Sequence, residues 1–248
     1  NFKMANSSNL NESLALNKVG NFKFSNTKLE DLGAENYTLA AIAIDVSGST
    51  SDFISEMEKA LKTVVESCML SPRADNLMIR LVTFDDNVQE IHGFKLLSYI
   101  NIGDYDGVLK TGGLTALFDA SENVIKASNI EGKRLLSLDY SVNGIVVVIT
   151  DGCDNRSVSK AKEVAKELKE SVSGENLESM LSILIEVNPN SDQSIQQELD
   201  KFFKETGFTQ KENMKDLTKN GFAKLANFIS KSISSQSQAL NSGGASKP

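Results

Sequence analysis

Ala41-Ile42-Ala43-Ile44-Asp45-Val46-Ser47-Gly48-Ser49-Thr50 changes character at its middle. The first four residues are apolar and read as a buried strand. The following residues are small and carry oxygen. Asp45, Ser47 and Ser49 stand at every second position, so an extended backbone running past the strand end points all three side chains the same way. Three hard oxygen donors converging at the end of a buried strand are a starting point for a hard cation such as Mg²⁺. The same residues also make ordinary helix caps, since Ser49, Thr50, Ser51 and Asp52 all suit the N-cap position. What the rest of the chain brings to this point decides between the two.

Outward from that stretch, strands alternate with helices. Phe53, Met57, Leu61, Val64, Val65 and Cys68 recur at helical spacing and end before Pro72. Residues 77–84 and 88–94 read as two strands joined by a tight Asp85-Asp86-Asn87 turn, hence antiparallel. A Gly-rich segment, 97–114, leads into a helix that starts at Thr115 and carries Ala116, Leu117, Ala120, Val124 and Ala127 on one face. Residues 129–143 read as a loop. Gly144–Thr150 is apolar without alternation, the mark of a strand buried on both faces. Asp151-Gly152-Cys153-Asp154-Asn155 follows as a polar turn. Further helices are expected over 157–171, 191–206 and 214–232, with strands over 180–187 and 208–210. The pattern predicts a doubly wound α/β domain over 36–233, preceded by a polar Asn-rich arm, 1–35, and followed by a disordered tail, 234–248. Within the arm, Phe22 and Phe24 alternate with polar residues and could form a short edge strand.

Composition bounds the function. The 248 residues carry a formal charge of −7, which disfavours nucleic acid as partner. No apolar run approaches the roughly 20 residues that span a bilayer, and the first residues lack the layout of a secretory signal, so a cytoplasmic location is expected. The single histidine, His92, makes a multi-imidazole zinc site and a Ser-His-Asp triad poor readings; it is expected on the surface. The two cysteines are expected to be free thiols. Cys68 lies about 15 residues along a helix that begins at the candidate site, on the order of 20 Å away, while a disulfide needs Cα atoms within about 7 Å.

Asp45 and Asp151 each end a central strand. In open α/β sheets ligands bind beyond the carboxyl ends of strands where the strand order reverses. Neighbouring strands at that point would bring the two carboxylates together, and the Gly-rich loop would deliver Thr111 or Thr115 to the same rim. The set is all oxygen and suits Mg²⁺ or Mn²⁺ rather than zinc.

Asp45-Val46-Ser47-Gly48-Ser49 resembles the DxSxS motif of von Willebrand factor A domains. Gly113–Ala120 resembles their threonine motif, and Thr150-Asp151-Gly152 resembles their TDG motif. The resemblance implies a mostly parallel six-stranded sheet of order 3-2-1-4-5-6 with an antiparallel edge strand, helices on both faces, and a metal-ion-dependent adhesion site. It implies that Ser47, Ser49 and Thr115 bind the metal directly while Asp45 and Asp151 act through water or hydrogen bonds. A partner would supply an Asp or Glu to the open coordination position, and the surrounding rim would include Thr50, Asp104, Tyr105, Asp106, Asp154 and Asn155. Two positions depart from the family pattern. Leu114 separates the glycine pair from Thr115, and Cys153 places a thiol just after the TDG.

Non-catalytic, Mg²⁺-dependent protein binding is the expected function. The resemblance also allows an adaptor for an AAA+ ATPase of the MoxR or metal-chelatase kind. A metal-dependent phosphohydrolase is the weakest reading: such enzymes use Asp-x-Asp, with the second carboxylate as general acid, and Ser47 stands at that place.

Overall fold

Hydrophobic patterning resolves into nine strands and five α-helices among the residues described in a computed structural model, 3–4, 14–187 and 192–242. In chain order these are β1 (Lys3–Met4), β2 (Leu14–Val19), β3 (Phe22–Thr27), β4 (Asn36–Asp45), α1 (Ile54–Met69), β5 (Leu77–Phe84), β6 (Val88–Leu96), α2 (Leu117–Leu136), β7 (Ser141–Thr150), α3 (Ala161–Ser173), β8 (Met180–Val187), α4 (Gln193–Thr206), β9 (Gln210–Met214) and α5 (Lys219–Ser242). The strands make one sheet in the order β2-β3-β6-β5-β4-β7-β8-β9, with β1 beside β6.

β4 shows why the sheet needs cover on both sides. Ala40, Ile42 and Ile44 face a core shared with α1 and α5, while Leu39, Ala41 and Ala43 face a core shared with α2 and α4. The strand's period of two thus feeds two separate apolar layers. β7 divides in the same way, with Ile145, Val147 and Ile149 on one side and Val146 and Val148 on the other. β4 and β7 are parallel neighbours with Ile44 opposite Ile149, so the residues that follow, Asp45 and Thr150, emerge side by side at the carboxyl edge.

The six-strand sheet expected from the sequence is corrected to nine, and β6 is not its edge. The segment expected as a polar arm supplies β2 and β3, which extend the sheet beyond β6. Its polar residues are buried because partners await them. The Glu90 carboxylate accepts from the Ser25 backbone N–H at 2.9 Å and the Ser25 hydroxyl at 2.6 Å. Asn26 donates its side-chain amide to Glu131 at the far end of α2, and the Thr27 hydroxyl donates to the Phe94 carbonyl. β6 receives β3 only because residue 93 is glycine: a Cβ there would stand 1.8 Å from the Ser25 carbonyl oxygen.

Several boundaries also move. Residues 129–136 continue α2 rather than forming a loop; Asn129, Glu131 and Gly132 are buried there, and the carboxylate of Glu131 is held by Asn26 and Arg134. The last strand is Gln210–Met214 instead of 208–210, and the last helix starts at Lys219 instead of 214. That helix runs on to Ser242 through much of the expected disordered tail, where the Gln236 side chain donates to the Gly144 carbonyl and Asn143 donates to the Gln236 carbonyl. His92 is not on the surface; it is fully buried against Tyr105.

Candidate functional site

Where β4 ends, the backbone turns through a short 3₁₀ segment, Gly48–Asp52, before α1 begins. Asp45 is buried and both of its carboxylate oxygens are engaged. One accepts the Ser47 N–H at 2.8 Å, and the other accepts the Thr150 hydroxyl at 2.6 Å. Burial pushes its pKa up to about 6 against those bonds, with the Asp151 charge adding to the rise. The Ser47 hydroxyl lies 3.2 Å from that of Ser49, which in turn donates to the Asp151 carboxylate at 3.0 Å. Burial also raises the pKa of Asp151.

Thr115 arrives from the Gly-rich segment, and six hydrogen bonds from backbone N–H groups seat it. The Gly112 N–H donates to the Val46 carbonyl, and Gly48 donates to that of Gly113. Leu114 donates to the Asp86 carboxylate at 2.9 Å, and Ala116 donates to the Asp85 carbonyl at 2.8 Å. The Thr115 N–H donates to the Asn155 side-chain carbonyl at 2.8 Å, while the Asn155 N–H returns a bond to the Thr115 carbonyl at 3.0 Å. Gly113 holds a φ of +73° and has the Asp86 carboxyl carbon 3.2 Å from where a Cβ would stand, so a side chain is excluded on both counts. The Thr115 hydroxyl sits 4.0 Å from the corresponding point on Gly152, beside Asp151. Thr111 is exposed and outside this set.

Asp45, Ser47, Ser49, Thr115 and Asp151 are therefore brought to one rim. Their chemistry is two carboxylates and three hydroxyls. Among the described residues no group of three His, Cys, Asp or Glu side chains is placed to hold an ion, so a cation here would have to be taken largely by hydroxyl oxygens. The hydroxyl spacing fits one: adjacent ligands of an octahedral Mg²⁺ with bonds of about 2.1 Å are about 3.0 Å apart, close to the Ser47–Ser49 separation of 3.2 Å.

The expected rim is only partly assembled. Thr50 is buried, and its hydroxyl donates to the Ser47 carbonyl. Tyr105 is buried with His92 and presents nothing to a partner. Asp106 pairs with Lys62 of α1, and Glu58 accepts the N–H groups of Gly107 and Leu109. Segment 104–109, with Asp104, is thus laid along α1; Lys62 stands about 12 Å into that helix. Asp154 and Asn155 do reach the site, but as supports. Asp154 accepts the Phe118 N–H at the start of α2, as well as the Ser157 hydroxyl. Cys153 is half-buried, and burial together with the charges of Glu198, Asp192, Glu186 and Asp154 raises its thiol pKa, which disfavours the thiolate. Both cysteines are free.

Thr150, Asp85 and Asp86 hold the site, yet their roles were not read from the sequence. Thr150 has a legible signal, because its strand register places its hydroxyl beside Asp45. Asp85 and Asp86 look like an ordinary polar turn until the Gly-rich loop is folded onto them.

No curated protein matches the chain. Among solved structures, the PilB minor pilin from Streptococcus sanguinis superposes with a TM-score of 0.57 at 14% identity, over 81% of this chain and 62% of the pilin. The pilus adhesin SpaC from Lactobacillus rhamnosus GG gives 0.55 at 11% identity, over 81% of this chain and 30% of the adhesin. The conserved hypothetical protein BatB from Bacteroides thetaiotaomicron gives 0.51 at 13% identity, over 78% and 98%. The chain spans less than two thirds of the pilin and less than a third of the adhesin; at these identities the likeness is one of fold. Among the described residues no helix is long and apolar enough to cross a membrane. Residues 41–219 match the family model of the von Willebrand factor type A domain, and the chain belongs to that family.

Proposed function

We propose that the chain is a non-catalytic protein-binding module that uses Mg²⁺, or Mn²⁺, to take an Asp or Glu side chain of a partner. Family membership supports the general role of protein interaction. The observation that carries the metal-dependent reading is the pair of Ser47 and Ser49 hydroxyls, 3.2 Å apart and so close to the edge of a Mg²⁺ octahedron, with Ser49 bonded at 3.0 Å to the Asp151 carboxylate behind it. In this reading Ser47, Ser49 and Thr115 hold the ion directly. Asp45 and Asp151 act from behind, through water and hydrogen bonds. Few directly bound anions leave the cation strongly electrophilic, and the partner carboxylate completes it. Both oxygens of Asp45 are occupied by Ser47 and Thr150, so this carboxylate is poorly presented as a nucleophile, which weighs for binding over phosphoryl chemistry.

The test needs no partner. Mn²⁺ added to ¹⁵N-labelled protein should broaden the amide resonances of residues 47–49, 113–115 and 151–152 at sub-millimolar concentration, and EDTA should restore them. Ser49→Ala and Thr115→Ala should each weaken the effect at least tenfold in Mn²⁺ concentration. Broadening absent at several millimolar Mn²⁺, or unchanged in both variants, overturns the reading.

A further inference from the structure

Beside the site runs an open groove of about 380 Å³. It starts at the Asp85-Asp86-Asn87 turn, follows α2, and ends at Phe22, the first residue of β3, with Arg156, Val158 and Ser159 as its outer wall. Its apolar lining is Phe22, Val88 and Val158, the last 88% exposed; Leu114, 49% exposed and next to Thr115, is bonded through its N–H to the groove's Asp86. Three carboxylates line it: Asp86, Asp119 and Glu122. Their charge is only partly answered. Lys126 is drawn over the Phe22 ring, 5.5 Å from its centroid. Arg156 lies on the exposed outer wall. The bonds the carboxylates accept come from neutral donors: Leu114 N–H to Asp86, Val158 and Ser159 N–H to Asp119, and the Ser159 hydroxyl to Glu122.

We propose that this groove receives a Lys or Arg side chain of the same partner segment whose carboxylate is taken at the Asp45–Thr115 site; the inference rests on that reading. The groove matches a long basic side chain in both of its parts, an aliphatic stem along Phe22, Val88 and Val158 and a cationic head among the carboxylates. Distance sets the spacing. Asp119 and Glu122 lie four and seven residues beyond Thr115, roughly 6 to 10 Å along the helix. An extended peptide covers that in about two to three residues. The partner motif is therefore an acidic and a basic residue a few positions apart. The groove also assigns a purpose to the β2–β3 hairpin, whose second strand begins with Phe22.

The probes are capped peptides Asp-Gly-Gly-Lys and Lys-Gly-Gly-Asp, with Lys replaced by Ala or Glu and Asp replaced by Ala, titrated into the ¹⁵N-labelled full chain in Mg²⁺ and in EDTA. In one of the two orders the Lys peptide should bind at least fivefold more tightly than its Ala counterpart and shift the amides of Val88, Glu122 and Val158. Glu122→Gln should shrink that preference, and Glu122→Lys should turn it toward the Glu peptide, with the Ala peptide's affinity unchanged. Equal binding of Lys and Ala peptides in both orders, preference for the Glu peptide by the native protein, or a Lys preference unmoved in both Glu122 variants overturns the proposal. A Lys preference that persists in EDTA and with the Asp→Ala peptides, yet responds to Glu122, upholds the groove while removing the metal-dependent reading.

Discussion

At the scale of single residues, the rim is held together by side chains that stand behind its hydroxyl oxygens. Thr150 is the clearest case. Its hydroxyl donates to Asp45 and accepts the Gly152 N–H at 3.2 Å, so one side chain joins the two strand ends that carry the carboxylates. Thr150→Val keeps the shape of the side chain and removes both bonds. A buried carboxylate left without its donor costs about 1–3 kcal/mol, a loss that urea unfolding of the variant in EDTA would measure. The same change frees Asp45 to reorient, so Mn²⁺ broadening at residues 47–49 should need several-fold more metal. Unchanged unfolding and unchanged metal response would show that Thr150 is only a strand residue.

At the scale of elements, the sequence was most legible where chemistry and periodicity coincide. β4 and β7 carry uninterrupted apolar runs ending in Asp45 and Asp151, and both the strands and the convergence of their ends could be read directly. β2 and β3 could not be read with the same clarity. Ser25, Asn26 and Thr27 look like exposed polar residues, and only Glu90, Glu131 and the Phe94 carbonyl, 65, 105 and 67 positions from their partners, turn them into buried ones. The end of α2 and the last turns of α5 hide for the same reason: Glu131 and Gln236 find polar partners far along the chain, and local pattern carries no trace of them. Gly93 offers a test of how firmly the added hairpin is built in. Gly93→Ala places a Cβ against the Ser25 backbone, so either β3 leaves β6 or the strands distort. Loss of β3 would strip donors from Glu90, which stays paired with Arg80 inside the protein. A destabilisation of about 3 kcal/mol or more is expected, with fast hydrogen exchange concentrated at residues 22–27. Native exchange at β3 in a stable variant would contradict this account.

At the scale of the whole molecule, two buried titrating groups pull stability in opposite directions with pH. His92 lies between the Gly93 carbonyl, which only accepts, and the Tyr105 hydroxyl at 2.7 Å; Nδ1 therefore carries the proton and Nε2 accepts from Tyr105. Burial, aided by the charges of Lys95 and Arg80, lowers its pKa from 6.5 to about 4. Between those values the unfolded chain binds a proton that the folded one refuses. The His92 contribution is complete above about pH 6.5 and is lost as pH falls through about 4, a change of about 3 kcal/mol. Asp45 behaves oppositely in the absence of metal. Its folded pKa of about 6 lies above 3.8, so its contribution is complete below about pH 3.8 and is lost as pH rises through about 6. The two slopes oppose each other over most of the interval, so in EDTA the rise due to His92 should offset much of the fall due to Asp45 between pH 4 and 6. His92→Gln removes one slope while keeping a donor and an acceptor for Gly93 and Tyr105. Its stability, measured by urea unfolding in EDTA, should then fall more steeply than that of the native protein from pH 4 to pH 6, the two profiles diverging by about 2 kcal/mol. A variant profile parallel to that of the native protein would mean that His92 has the same pKa in the folded and the unfolded chain.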